Sequence, residues 1–262
     1  MDNKLAEKID KAVEIIKKSK HLVALTGAGI STESGIPDFR SPKTGLWTKH
    51  DPMKYASIDS FLSNPSAYWE RAIDPEGLGS KVLDATPSIG HISLAELEKL
   101  GYLKTVITQN IDNLHQKAGN TDVIELHGTI HTAHCMNCGK KYERRKVLEW
   151  VKGGELPPCC KEKDCKGILK SDTILFGEAL PRSVLERAID ISENQCDCML
   201  VLGSSLVVTP AAHLPLLTIR SGGKLIIINI QQTPKDLYSD IVINEKIGMV
   251  MPEIIKKLKN KL

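Results

Sequence analysis

No single sign of charge dominates this chain: 35 basic residues face 32 acidic ones, for a net charge of +3. That balance removes the electrostatic case for a nucleic acid or a membrane surface as partner. No stretch approaches the ~20 apolar residues needed to cross a bilayer. The start, Met1-Asp2-Asn3-Lys4, lacks the apolar core of a secretory leader. Internal repeats and low-complexity tracts are missing as well. Disulfides are not required, because 262 residues can bury a core without them. Five of the seven cysteines crowd between Cys135 and Cys165, which suits a metal in a reducing compartment better than a disulfide frame. The expectation is a soluble, cytoplasmic protein. The lysines gather in two terminal runs, Lys4 to Lys20 and Lys256 to Lys261, and read as solvated helix faces.

What is present is an alternation of short apolar runs with helical stretches. Leu5, Ile9, Val13 and Ile16 recur at helical spacing and open the chain with an amphipathic helix. Strand-like runs follow at 22–26, 106–108, 123–126, 173–176, 198–202, 225–228 and 241–243. Several are apolar at consecutive positions, as strands covered on both faces require. Helices are expected over 92–100, 183–194 and 211–221, and from Pro252 onward with the proline in the first turn. This pattern predicts an α/β fold, a Rossmann-like doubly wound parallel sheet. Two stretches break the rhythm and predict a smaller lobe: a helical insertion at 41–86 and a cysteine- and lysine-rich one at 131–171.

Two turns of small residues carry the first chemical signal. Gly27-Ala28-Gly29-Ile30-Ser31 follows the strand at 22–26, and Gly203-Ser204-Ser205 follows the strand at 198–202. Each leads toward a helix, an arrangement that offers backbone N–H groups to a phosphate. The third glycine of the usual dinucleotide fingerprint is missing, since Thr32 stands in its place, and no acidic residue marks the ribose. A simple tight turn is the competing reading. Gly35-Ile36-Pro37-Asp38-Phe39-Arg40 adds a carboxylate, an apolar cover and a phosphate-binding fork in one loop. Cys135-Met136-Asn137-Cys138 is a metal knuckle, followed after a spacer by Cys159, Cys160 and Cys165. His131 and His134 are conceivable ligands but read as exposed loop histidines. Cys196 and Cys198 read as buried small hydrophobes. His127 ends a strand beside the sheet's ligand crevice, although a lone histidine is more often structural.

Taken together with Thr108-Gln109-Asn110-Ile111-Asp112, His127-Gly128 and Phe176-Gly177-Glu178, these segments stand in an order that resembles the sirtuins, NAD-dependent protein lysine deacylases. The resemblance runs from about His21 to Asn229, and implies one catalytic domain over 1–262, a bare core of prokaryotic type without an appended regulatory domain. It implies that Gly27, Ala28, Gly29 and Arg40 hold the NAD pyrophosphate, with Ser204 and Ser205 near the phosphate and ribose, and that Ser31 and Gly203 also bind NAD. Asn229 would bind the adenosine ribose. Asp38 and Asp112 would engage the nicotinamide carboxamide, Ile36 and Phe39 would shield it, and Gln109 and Ile111 would complete the pocket. Asn110 would orient the ribose and a water, and His127 would be the general base.

The implied reaction consumes NAD as a co-substrate. Nicotinamide leaves, the acyl oxygen of the modified lysine attacks C1′, and His127 then deprotonates a ribose hydroxyl that attacks the imidate carbon. The products are free lysine, nicotinamide and O-acetyl-ADP-ribose. The partner would be an acylated-lysine protein or peptide, lying as an added strand between Phe176-Gly177-Glu178 and Leu206-Val207. Neutral acyl groups are expected, acetyl first. Tyr68 and Arg71 have the Tyr-x-x-Arg spacing of desuccinylases but fall slightly early, and mono-ADP-ribosyl transfer is the other alternative. The family's second cysteine pair is separated by two residues, whereas here Glu162 occupies the expected position. One of the adjacent Cys159 and Cys160 must serve with Cys165. Cys160 is favoured, giving Cys135, Cys138, Cys160 and Cys165 around one structural zinc, with Cys159 as the alternative. Oligomeric state is not encoded in any of these patterns.

Overall fold

The computed structural model describes residues 3–43, 45–48, 50–75 and 78–260. Met1, Asp2 and Lys261 of the terminal readings lie outside them.

Six parallel strands make the larger sheet: β1 (Leu22–Thr26), β2 (Leu103–Thr108), β3 (Val123–Glu125), β7 (Cys198–Leu202), β8 (Lys224–Ile228) and β9 (Ile241–Ile243). Their order is β3-β2-β1-β7-β8-β9, with β4 (Gly128–Cys135), β5 (Lys141–Glu143) and β6 (Leu169–Thr173) in a separate antiparallel sheet ordered β5-β4-β6. β1 and β7 are buried at every position, which is why their sequences are apolar at consecutive positions rather than alternating, Thr26 at the tip of β1 excepted. Helices Asn3–Lys18, Ile89–Lys99 and Ile247–Lys259 cover one face, through Ile9, Ile16, Leu94, Leu97, Ile254 and Leu258. The other face packs Val23, Leu25, Ile107, Val201 and Ile227 against Ala188, Ile191 and Leu214. This is the doubly wound arrangement expected.

The chain order reverses direction around β1: β2 lies on one side and β7 on the other. Ligand crevices in open α/β sheets form at such a point, beyond the carboxyl ends of the strands. Both glycine turns end there, at the tips of β1 and β7.

The smaller lobe has its own core, including Phe61, Trp69, Val147, Leu169 and Leu175. Residues 41–86 supply short helices, among them Pro52–Ala56, Ile58–Ser63 and Pro65–Ala72. Asp51, Ser57 and Asn64 cap these three with side-chain bonds to the backbone, so each boundary is written in the sequence. Trp69 is fully buried, and its indole N–H donates to the Leu169 carbonyl at 2.8 Å.

Several expectations are corrected. The run 173–176 is not a strand of the parallel sheet: β6 ends at Thr173, antiparallel to β4, and Leu175 turns into the small-lobe core. The last helix begins at Ile247, with Pro252 inside it rather than in its first turn. Ile247, Val250 and Met251 continue the apolar stripe upstream of the proline, and that burial outweighs the lost backbone bond. The helix expected over 183–194 is Arg182–Asp190 followed by a wide turn, Ile191–Gln195. The first glycine turn leads into a tight 3₁₀ segment, Ala28–Ser34, not an α-helix. The second reaches helix Leu214–Arg220 only after a loop and a 3₁₀ turn. His131 and His134 are half-buried on β4 rather than exposed in a loop. Cys196 and Cys198, by contrast, are buried as expected, and burial pushes both thiols up, Cys196 to about 11.

Candidate functional site

The two glycine turns touch. The Gly27 N–H donates to Leu202 O at 3.1 Å, and Gly29 N–H to Gly203 O at 2.8 Å. A side chain at Gly203 would place its Cβ 2.4 Å from the Ile30 nitrogen, and Gly203 has φ +62°, so glycine is required there twice over. This close approach leaves the tips of β1 and β7 as one glycine-lined floor.

β2, pairing with β1, delivers Gln109 to Asp112 beside that floor. The Asn110 side-chain amide donates to Ser31 Oγ at 3.0 Å and to Gly27 O at 3.2 Å. Ser31 Oγ in turn donates to Asp112 Oδ2 at 2.7 Å, while Asp112 Oδ1 accepts the Leu114 N–H at 3.0 Å. Asn110, Ser31 and Asp112 are all buried. Gln109 Nε2 donates to Ser204 Oγ at 2.9 Å, tying β2 to the second glycine turn.

His127 sits where the chain leaves β3 for β4, between the two sheets. Its Nδ1–H donates to the Gln109 carbonyl at 2.8 Å, and its own carbonyl accepts Ile174 N–H at 2.9 Å. With Nδ1 carrying the proton, Nε2 holds the free lone pair. Burial lowers the pKa of His127, and the bond to Gln109 O partly opposes this. The ring is therefore neutral at pH 7 and able to accept a proton.

Asp38 does not join Asp112. Its Oδ1 accepts the N–H groups of Arg40 (3.0 Å) and Ser41 (2.7 Å), so the carboxylate closes its own loop. Ile36 is buried, whereas Arg40 is exposed. Phe39 stacks on Trp47 at 5.2 Å, and Trp47 meets Phe176 at 6.1 Å, so one aromatic row links this loop to the Phe176 turn. Trp47 was not singled out from sequence, because a tryptophan in a proline-dotted insertion carries no signal of its pairing with Phe39 and Phe176. Asn229, past β8, donates to Gln231 O, and Gln231 donates to Ser41 Oγ.

Phe176 is paired on both sides of its peptide: its N–H donates to Ala56 O at 2.7 Å and its carbonyl accepts Ile58 N–H at 2.9 Å. Gly177 follows at φ +89°. Past β7 and the second glycine turn, Leu206 is buried with φ +51°, and Val207 is 55% exposed.

The sulfurs of Cys135, Cys138, Cys160 and Cys165 lie within 4.8 Å of one another, with Cys135–Cys165 and Cys138–Cys160 both 3.6 Å apart. A tetrahedral zinc with ~2.3 Å bonds needs sulfurs about 3.8 Å apart, so the set fits that ion. Four thiolates leave no position for water, which makes such an ion structural. Asn137 N–H points at Cys135 Sγ (3.3 Å), as a thiolate favours. Cys159 faces away, with its thiol toward Pro157 O at 3.6 Å. His131 bonds Asp112 O and His134 bonds Asp172, so neither joins the sulfurs.

Tyr68 and Arg71 diverge. Burial raises the Tyr68 phenol, but the charge of Arg144 and the polar groups around it bring it below its ordinary value. Arg71 instead lies over the Tyr55 ring, 5.1 Å from its centroid.

A buried histidine pair went unmarked in the sequence. His115 Nε2 lies 2.9 Å from Thr26 Oγ1, Thr26 Oγ1 donates to Thr108 Oγ1, and Thr108 Oγ1 accepts Asn110 N–H. His91 packs on His115 with ring centroids 4.7 Å apart. Burial pushes His91 down to about 4, and burial together with His91 pushes His115 down to about 3.

The model of the Sir2 family matches residues 27–210. The chain is 44% identical to NAD-dependent protein deacylase 2 of Archaeoglobus fulgidus over 256 residues, 97% of this chain and 98% of that one. It is 48% identical to an NAD-dependent protein deacetylase of Caldivirga maquilingensis, covering 93% of each. A solved Sir2 variant with deacetylated p53 peptide and 3′-O-acetyl-ADP-ribose superposes at TM-score 0.88, with 40% identity over 95% of this chain and 98% of that one.

Proposed function

This chain belongs to the Sir2 family, and from that premise we propose how its residues carry the reaction. It is an NAD-dependent protein lysine deacylase that removes acetyl groups and yields free lysine, nicotinamide and O-acetyl-ADP-ribose. No described helix is long and apolar enough to cross a membrane.

Gly27, Ala28, Gly29, Ser204 and Ser205 receive the pyrophosphate on the glycine-lined floor, with Arg40 from the neighbouring loop. Ser31, Asn110 and Asp112 form one hydrogen-bonded unit under the nicotinamide ribose. Asp112, fixed by Ser31 and Leu114, engages the carboxamide. Asp38 acts by closing the loop that carries Ile36 and Phe39, which exclude water from C1′. The acyl oxygen attacks C1′ as nicotinamide leaves. His127 Nε2 then takes a proton from a ribose hydroxyl, whose oxygen adds to the imidate carbon; water completes release of the lysine. Asn229 binds the adenosine ribose. Cys135, Cys138, Cys160 and Cys165 hold the zinc that stabilises the small lobe.

The observation that carries this reading is the chain of contacts from His127 through Gln109 to Ser204. It sets a neutral base beside the floor formed by both glycine turns.

The peptide lies between Gly177 and Leu206–Val207. Phe176 has already given both its peptide groups to Ala56 and Ile58, so the added strand uses Gly177. Main-chain pairing of this kind reads side chains weakly. The divergence of Tyr68 and Arg71 supports neutral acyl groups over succinyl.

Mass spectrometry of a peptide panel (acetyl, propionyl, butyryl, myristoyl and succinyl lysine), each with and without NAD, tests the reading. Acyl loss that requires NAD and appears with O-acyl-ADP-ribose supports it. Nicotinamide release without acyl loss would replace it with ADP-ribosyl transfer.

A further inference from the structure

We propose that Lys170 is a positioning residue for the acylated peptide, acting by fixing the turn Leu175–Glu178. This rests on the reading above that the turn carries the peptide. Lys170 is 2% exposed, a costly place for an ammonium unless every proton is used. All are used. Nζ donates to Ser171 O at 3.1 Å and Thr173 O at 2.9 Å, and it meets Glu178 Oε2 at 2.9 Å. The same Oε2 accepts Leu175 N–H at 2.7 Å, and Glu178 N–H closes back on Leu175 O at 3.0 Å.

The buried ammonium therefore joins the end of β6 to both ends of the turn, while Ala56 and Ile58 hold Phe176 from the other side. Gly177 is left between two fixed points at φ +89°. β6 itself has independent support, from its pairing with β4 and from Trp69 on Leu169 O. Loss of the ammonium thus acts on the turn rather than the sheet.

The test compares Lys170→Met, Lys170→Arg and Glu178→Gln in the full-length, zinc-loaded enzyme. Lys170→Met should raise KM for an acetyl-lysine peptide about 10–100-fold by lowering the population of the competent turn. KM for NAD, and kcat at saturating peptide, should stay within about twofold. Lys170→Arg, which keeps the charge and the donors, should restore most of the loss. Glu178→Gln should shift peptide KM in the same direction by less, and serves if Lys170→Met does not fold. An unchanged peptide KM, or an equal rise in both KM values, overturns the proposal. Hydrogen exchange at Gly177 in the wild-type enzyme separates the two readings. If acetyl peptide leaves that amide unprotected, the turn does not carry the peptide and both fall. Protection together with an unchanged KM in Lys170→Met removes Lys170 alone.

Discussion

His127 and Gln109 are joined by a 2.8 Å bond from the imidazole Nδ1–H to a backbone carbonyl. The residues are 18 apart in sequence and meet because β2 and β3 pair side by side. That bond fixes the tautomer, and with it the nitrogen that can act as base. His127→Ala should leave folding intact and cut deacylation by about 10²–10⁴. Equal turnover in the variant would remove His127 from the role.

The pH dependence follows from burial. A base must be unprotonated, and the His127 pKa lies below its ordinary 6.5. The acid limb of the rate with saturating NAD should therefore have its midpoint below pH 6.5. A profile that already falls between pH 8 and 7, and loses that limb in His127→Ala, would contradict the burial argument.

Stability should follow the buried histidine pair. In the unfolded chain His91 and His115 protonate near 6.5, but in the fold only at about 4 and about 3. The unfolded state binds the protons first, so stability is full above pH 6.5 and declines as pH falls toward 3. At pH 5 the loss is on the order of 2 kcal/mol per ring, at about 1.4 kcal/mol per unit. Urea unfolding at pH 7 and 5 measures it. The pH 7 to 5 difference should shrink in His91→Asn; if it keeps its wild-type size, the pair is not the cause.

Only one of the adjacent thiols should matter for zinc. Cys160→Ser should lower bound zinc and the melting temperature, while Cys159→Ser should keep close to one zinc per chain. Elemental analysis of both variants decides it, and the reverse pattern would exchange the two cysteines.

Gly203→Ala places a methyl 2.4 Å from the Ile30 backbone at a positive φ. The expected loss is about 2–4 kcal/mol of stability, together with NAD binding. Calorimetric titration showing wild-type NAD affinity would mean that the glycine floor yields without consequence.

Much of this was legible in order and spacing. The strands at 22–26, 198–202 and 241–243 are where their apolar runs place them, because a strand buried on both faces must be continuously apolar. The run 173–176 misled for the same reason. Leu175 is apolar to fill the small-lobe core, a demand that a turn can meet as well as a strand. Pro252 misled because a local rule for helix starts was outweighed by apolar positions one turn earlier. Asp38 also holds its own loop, Oδ1 accepting the N–H groups of Arg40 and Ser41 and Oδ2 the Ser41 hydroxyl, contacts that spacing alone does not reveal.

The sequence by itself determined the reaction class, through the resemblance to the sirtuins carried by several short motifs standing in one order, none of them specific alone. Each is a short-range pattern, written within a few residues of chain. Only the tertiary structure decided which cysteine turns inward, which imidazole nitrogen is free, and that Lys170 is buried against Glu178. It also decided that the two glycine turns, far apart in the chain, share one floor. Each of those depends on which strands lie next to one another, and the order β3-β2-β1-β7-β8-β9 is set by burying both faces of the sheet at once.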